Sequence, residues 1–587
     1  MRTIVVVLLT LAMVSFGHAA EPLGSKVQGY ASEPVREPLD RGLIARPTPD
    51  GKVYLGWRLL ASDPNDAAFD VYRRTDDGQP VKLNREPVRR TTDFVDDAAP
   101  QGKEHAWSVR PARGGKESRP ARATPAQGAT GYVSIKLDGA QTFQKVGIAD
   151  LDGDGQYDFV IKQPNANIDP WYKYWTRSPD TYKLEAYRGD GKFLWRFDLG
   201  WAIERGIWYS PYVVYDLDGD GKAEVAVKTG EGDPRDPDGK VTQGPEYLTI
   251  LDGLTGEPRA RVDWPSREGF EGEHGYNYAS RNQLGVAYLD GKTPCLIVER
   301  GTYNRMKVVA YEFHGGRLRA LWHWDNKDLP KTYWGQGAHW MHAADVDGDG
   351  RDEVLLGSAV LDDDGTALWS TGLGHPDHFY VGDIDPSRPG LEIYYGIETR
   401  QRKGNGMCLV DARTGTILWG ITQPTQHVHG HGLCSDIDAA HPGSECYSAE
   451  SDPARGKSLA WALLHDAKGN VLSREPLDGF GPRCAYWDAD PQREIVRSRG
   501  IFDYGSDKAL AKLEGSFVAV ADILGDWREE IITSVPGELR IYTTTIPAAD
   551  RRPCLMQDRL YRMDVVAAAM GYYQVPMTSF DLATGKR

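Results

Sequence analysis

The stretch Asp150-Leu-Asp152-Gly-Asp154-Gly-Gln156-Tyr-Asp158-Phe-Val-Ile161 decides the reading of this chain, because it recurs. Asp216-Leu-Asp218-Gly-Asp220-Gly-Lys-Ala-Glu224 and Asp345-Val-Asp347-Gly-Asp349-Gly-Arg-Asp-Glu353 repeat it in full. Shorter copies stand at Asp383-Ile-Asp385, Asp436-Ile-Asp438, Asp488-Ala-Asp490 and Asp522-Ile-Leu-Gly-Asp526. A degenerate copy, Ala287-Tyr-Leu-Asp290-Gly-Lys292, fills the long gap between Asp216 and Asp345, so the units number eight. Each joins an acidic turn to a β-rich strand. Between them runs a second element, a strand, a tight turn and a terminal tryptophan, as in Leu184 to Trp195, Leu361 to Trp369 and Cys408 to Trp419. The Asp-Gly and Thr-Gly turns read as hairpins. Residues 128–587 divide into units of about 57, and paired hairpins at that spacing predict an eight-bladed β-propeller in an all-β chain. No amphipathic helix of useful length interrupts the pattern.

Upstream, residues 21–127 form a separate unit. Val53 to Leu60, Phe69 to Tyr72 and His105 to Val109 are short β-rich runs separated by Gly, Pro and Asp turns, which predicts a fibronectin-III-like β-sandwich. Residues 1–20 read as a signal peptide: Met1-Arg2, an apolar run from Ile4 to Phe16, then small residues at Ala19-Ala20. The mature protein is therefore expected to be secreted or periplasmic. No later run approaches the roughly 20 apolar residues of a spanning helix, so no membrane partner is expected.

The 587 residues include 40% hydrophobic and 26% charged, with 17 Trp and 29 Tyr, which excludes a disordered chain. The net charge of −15 argues against a nucleic-acid partner. Six cysteines lack metal-knuckle spacing, and Cys434 and Cys446, the closest pair, are bridged or buried as free thiols.

The acidic turns suit calcium, which takes many hard oxygen ligands from a tight loop. Carboxylates fall at positions 1, 3, 5 and 9: Asp150, Asp152, Asp154 and Asp158; Asp216, Asp218, Asp220 and Glu224; Asp345, Asp347, Asp349 and Glu353. An EF-hand needs a Glu at position 12, where Ile161, Val227 and Leu356 stand instead. Asp383, Asp385, Asp436, Asp438, Asp488, Asp490 and Asp522 extend the expectation to the shorter loops. Several structural calcium ions are expected.

Seven of the 14 histidines lie between positions 339 and 431, ahead of consecutive acidic loops. In a propeller, residues entering innermost strands face one funnel, so His339, His375 and His431 are expected to converge there. A general base, a partner for a substrate carboxylate, zinc held by His427, His429 and His431, and plain packing all remain open uses. Tyr209 precedes one acidic loop. Lys228 and Glu231, and Arg300, Tyr303 and Arg305, follow inner strands and read as rim loops. Arg and Lys pair with carboxylates and aromatic faces stack on sugar rings, so an acidic sugar fits this inventory.

The chain resembles the rhamnogalacturonan lyases of polysaccharide lyase family eleven over essentially the whole mature sequence. Gly56 to Leu60, Leu194 to Gly200, Val214 to Val225, Gly244 to Thr249, Ser370 to His375, Leu524 to Glu530 and Arg540 to Thr545 carry the resemblance. It implies an eight-bladed propeller, several calcium ions and β-elimination of the rhamnose–galacturonate backbone of pectin, an acidic plant cell-wall polysaccharide; a monomer is expected. It places His339 and His375 on active-site histidines and Tyr572 on a substrate-contacting tyrosine. An arginine of the family pattern is replaced by His431, and a lysine by Glu514. His431 or His339 is then the candidate base, Tyr209 or Tyr303 the candidate proton donor, and Lys228, Glu231, Arg300, Arg305 and His429 candidate substrate contacts. A lyase acting on another rhamnose–uronate glycan and a carbohydrate-binding propeller without catalysis are the alternatives. A quinone-dependent dehydrogenase fits poorly, because its docking motifs would recur in nearly every unit.

Overall fold

The computed structural model describes residues 37–123, 131–497 and 499–585, so the expected signal peptide lies outside the described residues. The chain is nearly all β. Eight four-stranded antiparallel sheets succeed one another. Their first strands are Lys145–Ala149, Tyr212–Tyr215, Asn282–Ala287, Gly337–Ala344, Pro376–Gly382, Val428–Ser435, Arg483–Ala485 and Ser516–Ala521, and the sheets are numbered one to eight in that order. These first strands are almost wholly buried, and those of sheets two to six pack in turn, each on the next. Burial on both faces explains why they read as apolar runs rather than alternating ones.

The outer strands explain the tryptophan repeat. Trp195, Trp369 and Trp419 each donate an indole N–H across to the following sheet, to Gly253 O at 2.8 Å, Ala412 O at 3.0 Å and Ala467 O at 2.9 Å. Trp322 does the same to Asp363 O at 2.9 Å. Each indole lies over the turn glycine of that next sheet. A β-carbon at Gly256, Gly365, Gly415 or Gly469 would sit 2.5–2.7 Å from the ring, so only glycine fits under it. The Trp and the Thr-Gly or Asp-Gly turn are therefore the two halves of one inter-sheet latch.

Sheet eight takes three strands from the C-terminal region, and its fourth is Tyr132–Lys136, paired with Glu538–Tyr542. The N-terminal unit holds two sheets. Ile44–Pro47, Val53–Gly56 and Asp93–Asp96 form one; Val81–Lys82, Phe69–Thr75, His105–Pro111 and Ala121–Ala123 form the other. Val53, Leu55, Trp57, Phe69, Val71 and Trp107 make their shared core. Arg58 donates to Ile523 O at 2.6 Å and Tyr54 to Asp526 at 2.9 Å, which ties this unit to the acidic loop of sheet eight.

One helix departs from the sequence expectation. Arg559–Ala567 is buried from Leu560 onward and packs on the first strands of sheets one to four. Its charged residues Arg559, Arg562 and Asp564 are spread round the helix and taken up by Asp352, Glu37 and His342, so they mark no solvent-facing side in the sequence. It leads into Tyr572 and Tyr573. Cys434 and Cys446 sit directly opposite each other as free thiols, 3.7 Å apart at sulfur.

Candidate functional site

The acidic turns fold as small cages. Asp150 accepts from Gly153 N at 2.8 Å and Asp154 N at 3.1 Å, and the same contacts recur at Asp345 with Gly348 and Asp349. Three groups bring their ligand atoms together: Asp150, Asp152 and Asp158; Asp216, Asp218 and Glu224; Asp345, Asp347 and Glu353. The position-five carboxylates lie outside these groups. Asp154 pairs with Arg119, Asp349 pairs with Arg351, and Asp220 is exposed.

An acidic residue missed by sequence reading completes each shorter loop. The second strand of every sheet except sheet three opens on Asp or Glu: Asp158, Glu224, Glu353, Glu392, Glu445, Glu494 and Glu530. Each accepts a backbone N–H from its own loop, as Glu392 does from Ile384 at 3.1 Å and Glu445 from Ile437 at 2.9 Å. The signal was an acid fixed before a β-branched strand. Sheet seven also shifts the register: Tyr486 follows the first strand, so Asp488 and Asp490 hold the third and fifth positions rather than the first and third.

These cages fit a divalent cation. Buried oxygens of Asp152, Asp218, Glu353, Asp383, Asp436, Glu445 and Asp522 have no hydrogen-bond partner. Burial, with mutual repulsion behind it, pushes Asp158 up to about 7, Glu224 to about 8 and Asp522 to about 8. Hard carboxylate and carbonyl oxygens on tight turns are the donor set calcium takes.

A cavity of about 490 Å³ opens among the first strands of sheets four to six. His339 and His375 stand in it with ring centres 4.6 Å apart. The Tyr303 hydroxyl lies 3.0 Å from His339 Nε2. Trp208 covers the other face of His339 at 4.5 Å, and Tyr572 approaches it at 4.8 Å. His375 Nδ1 binds the Gly337 carbonyl, which points its Nε2 at Glu398, 3.0 Å away. His427 Nε2 lies 3.2 Å from the same carboxylate, and His429 Nδ1 lies 2.7 Å from Asp377.

Burial and the neighbouring His375 hold His339 well below the usual imidazole range, so it is neutral near pH 7. Burial alone would raise Asp377, but the surrounding histidines, His429 foremost, hold it well below the usual carboxylate range. Arg281 supplies the buried cation. It is paired with Asp169 at 2.8 Å and faces the Trp208 and Tyr303 rings at 4.9 and 5.3 Å. Ligand atoms of His339, His375, Asp377 and Glu398 lie close enough together to hold a metal ion. A neutral imidazole touching a phenol, in a pocket with fixed charges of both signs, has the groups and the reach that general acid–base chemistry needs.

Sequence reading placed other residues differently. His431 lies beyond Tyr572, 4.8 Å from its ring, rather than against His339. A bulge between His429 and Leu433 breaks the strand's alternation, so His427, His429 and His431 do not share one ligand point. Tyr209 sits outside the cavity, joined to Tyr276 at 3.1 Å, which donates to Glu204 at 2.6 Å. Lys228 and Arg300 are no rim residues. Both are buried on Glu246, the first at 2.8 Å, with Arg267 joining at 2.9 Å. Glu231 pairs with Arg261 and Arg305 with Asp325, each at 2.7 Å, on outer hairpins. Long inner strands ending in polar residues look alike in sequence whether those ends turn inward to an ion cluster or outward to a ligand. Asp169, Arg281, Asp377 and Glu398 were missed, although Gly374-His375-Pro-Asp377-His378 concentrates polar groups legibly.

Residues 134–587 match the family model described as rhamnogalacturonan lyase family 11, C-terminal domain. Residues 35–126 match the rhamnogalacturonan I lyases beta-sheet domain. The chain is 38% identical over 636 aligned positions to rhamnogalacturonan endolyase YesW of Bacillus subtilis strain 168, covering 100% of this chain and 96% of that protein. It is 35% identical to the exolyase YesX of the same organism, covering 94% and 96%. The crystal structure of YesX superposes with a TM-score of 0.85 at 34% identity, covering 94% of this chain and 98% of that one. The Bacillus licheniformis rhamnogalacturonan lyase structure superposes at 0.84 with 34% identity, covering 95% and 98%.

Proposed function

The chain belongs to rhamnogalacturonan lyase family 11 and is an enzyme of that type, and on this premise we propose a calcium-dependent, exported lyase that cleaves the rhamnose–galacturonate backbone of rhamnogalacturonan I by β-elimination. The eight sheets are read as the blades of one propeller over residues 128–587, preceded by a signal peptide at 1–20 and a fibronectin-III-like sandwich at 21–127. The working form is a monomer, with no nucleic-acid or membrane partner. Among the described residues no helix is long and apolar enough to cross a membrane.

The observation that carries the mechanism is the 3.0 Å contact between the Tyr303 hydroxyl and His339 Nε2 inside the cavity. His339, neutral because it is buried, takes the C5 proton of the galacturonate. As the C5–H bond breaks, the C4–C5 double bond forms and the C4–O4 bond cleaves. Tyr303 gives its proton to the departing O4 oxygen. The hydrogen-bond reach between the two side chains then lets the imidazolium return that proton to the phenolate. Trp208 and Tyr572 hold the His339 ring between them and offer flat faces to the sugar. Asp377 and Glu398 fix His429 and His375. Asp377 and Glu398 are the carboxylates that would hold a calcium ion in this cavity, where it would supply positive charge to a uronate carboxylate and so make the C5 proton more acidic.

The test is the rise in ultraviolet absorbance from unsaturated uronate when the protein meets rhamnogalacturonan I with calcium, with a chelator and a rhamnose–glucuronate polymer as comparisons. A chelator-sensitive rise on rhamnogalacturonan I is expected. No rise with tight binding would leave a carbohydrate-binding propeller; a rise on the glucuronate polymer alone would move the substrate.

A further inference from the structure

Of the ten buried lysines and arginines among the described residues, eight are ion-paired with a carboxylate. The two that are not, Lys145 and Lys162, face each other. They are directly opposite in the antiparallel pairing of Lys145–Ala149 with Asp158–Gln163, so their side chains leave the same face of sheet one. Like charges so placed destabilise a sheet, and burial raises the cost.

Lys162 donates to Ser210 O at 3.1 Å and to Ser210 Oγ at 3.2 Å and lies 5.4 Å from the Tyr182 and Tyr212 rings, and burial, with Lys145 behind it, holds it well below the usual lysine range. The Lys145 ammonium has no hydrogen bond or ion pair with any described residue. Burial pulls it down to about 7, with the Arg483 cation pushing the same way. Arg483, in the first strand of sheet seven, lies 4.8 Å from the Phe517 ring and 5.9 Å from the Tyr573 ring, with no carboxylate in ion-pair range among the described residues. His431 of sheet six completes the group. Burial, with Lys145 and Arg483 behind it and Asp377 opposing, pulls it down to about 3, so it stands there as a neutral imidazole whose Nδ1 is buried without a partner.

Lys145 and Arg483, from sheets one and seven, have no carboxylate in ion-pair range among the described residues, so an anion from outside would complete them. We propose that Lys145 and Arg483, with His431 beside them, form an anion subsite that takes a uronate carboxylate of the polysaccharide. Two observations select a sugar acid over a bare ion. The cations are flanked by the faces of Phe517, Tyr572 and Tyr573, which suit a pyranose ring. Tyr572 also touches His339, so the subsite adjoins the cavity where the reaction occurs. The uronate assignment rests on the lyase reading; the anion site rests on the cations alone. Substrate binding then relieves repulsion already present in the fold.

The test uses the whole protein with Lys145→Met and, because Arg483 is only half-buried, Arg483→Gln as the milder change. Each should lower kcat/KM on rhamnogalacturonan I by tenfold or more. The ligand-free Lys145→Met protein should melt no lower than the parent, since an uncompensated buried charge is gone. A galacturonate–rhamnose disaccharide should raise the melting temperature of the parent and leave that of Lys145→Met unchanged. Its methyl ester should raise neither.

Cleavage within twofold of the parent in both variants, with equal stabilisation by the disaccharide, would overturn the subsite and leave the lyase standing. A parent that never cleaves, yet is stabilised only when Lys145 is present, would overturn the lyase reading and keep the site. Inorganic sulfate protecting as well as the disaccharide would reduce it to a general anion site and sink the uronate assignment.

Discussion

Replacing Glu246 with Gln removes one anion from three cations. The carboxylate meets Lys228 at 2.8 Å, Arg267 at 2.9 Å and the Arg300 guanidinium, and the side chains of Lys228 and Arg300 are 3% and 0% exposed. Deleting one partner of a buried pair costs about 3–5 kcal/mol, because the charge left behind stays desolvated. Two buried cations are stranded here, which puts Glu246→Gln at the upper end. The loss is capped by proton release. Burial pulls Lys228 down to about 8 even beside Glu246, and without that carboxylate it falls further and becomes neutral near pH 7. A lysine whose folded value lies below its unfolded one binds fewer protons when native, so stability rises with pH between those values. In the parent that window runs from about 8 to the ordinary 10.5. In Glu246→Gln it opens lower, so the deficit against the parent is largest near pH 6, shrinks as pH rises toward 8 and levels off above that, where both proteins gain equally. Urea unfolding at pH 6, 7.5 and 9 measures it, and Glu246→Gln with Lys228→Met should recover part of the loss. A deficit below 1 kcal/mol at pH 6, or one that grows with pH, would refute the reasoning.

Three further outcomes are expected. His339→Gln should lower kcat by about 10²–10⁴, the usual contribution of a general base, with an unchanged circular-dichroism spectrum, and Tyr303→Phe should also lower kcat; full turnover in either removes that residue from the mechanism. Because burial holds His339 well below 6.5, the kcat/KM profile should show no acid limb near pH 6.5; a limb there would mean that the base is less buried than this geometry requires. Stripped of divalent cations, Asp158 and Glu224 carry protons up to about 7 and 8, and a raised folded value gives stability that is lost as pH climbs through it. The chelated protein should therefore unfold in less urea at pH 8.5 than at pH 5.5, and calcium should abolish the difference; a chelated protein equally stable at both would contradict the cation cages.

The repeat was legible because each part has a local mechanical cause. Acidic turns close on their own backbone, and each tryptophan needs a glycine under it one unit later, so spacing alone exposes the sheets. The catalytic surroundings were less so. His339, His375, Tyr303 and Tyr572 share one cavity, yet nothing in the sequence separates them from Tyr209, which points into a buried network with Tyr276 and Glu204. Lys228 and Arg300 misled for the same reason: Glu246, the anion that claims them, is distant in sequence from Arg300 and sits on a neighbouring strand. The helix Arg559–Ala567 escaped notice because its charged residues are spread round it and paired inside the fold, which leaves no solvent-facing side to give it rhythm.

The strand Tyr132–Lys136 has a consequence for how the protein comes into being. Its partner is made last: Ser134 and Glu538, which hydrogen-bond in the finished sheet, stand 404 residues apart. At about 5–20 residues per second, synthesis leaves that early strand waiting roughly 20–80 s for its mate. An unpaired strand invites any passing edge, but this one carries an exposed lysine, Lys136, and a serine rather than an unbroken apolar run. The polar residues that look incidental in the completed sheet would guard the chain during the minute before it can close.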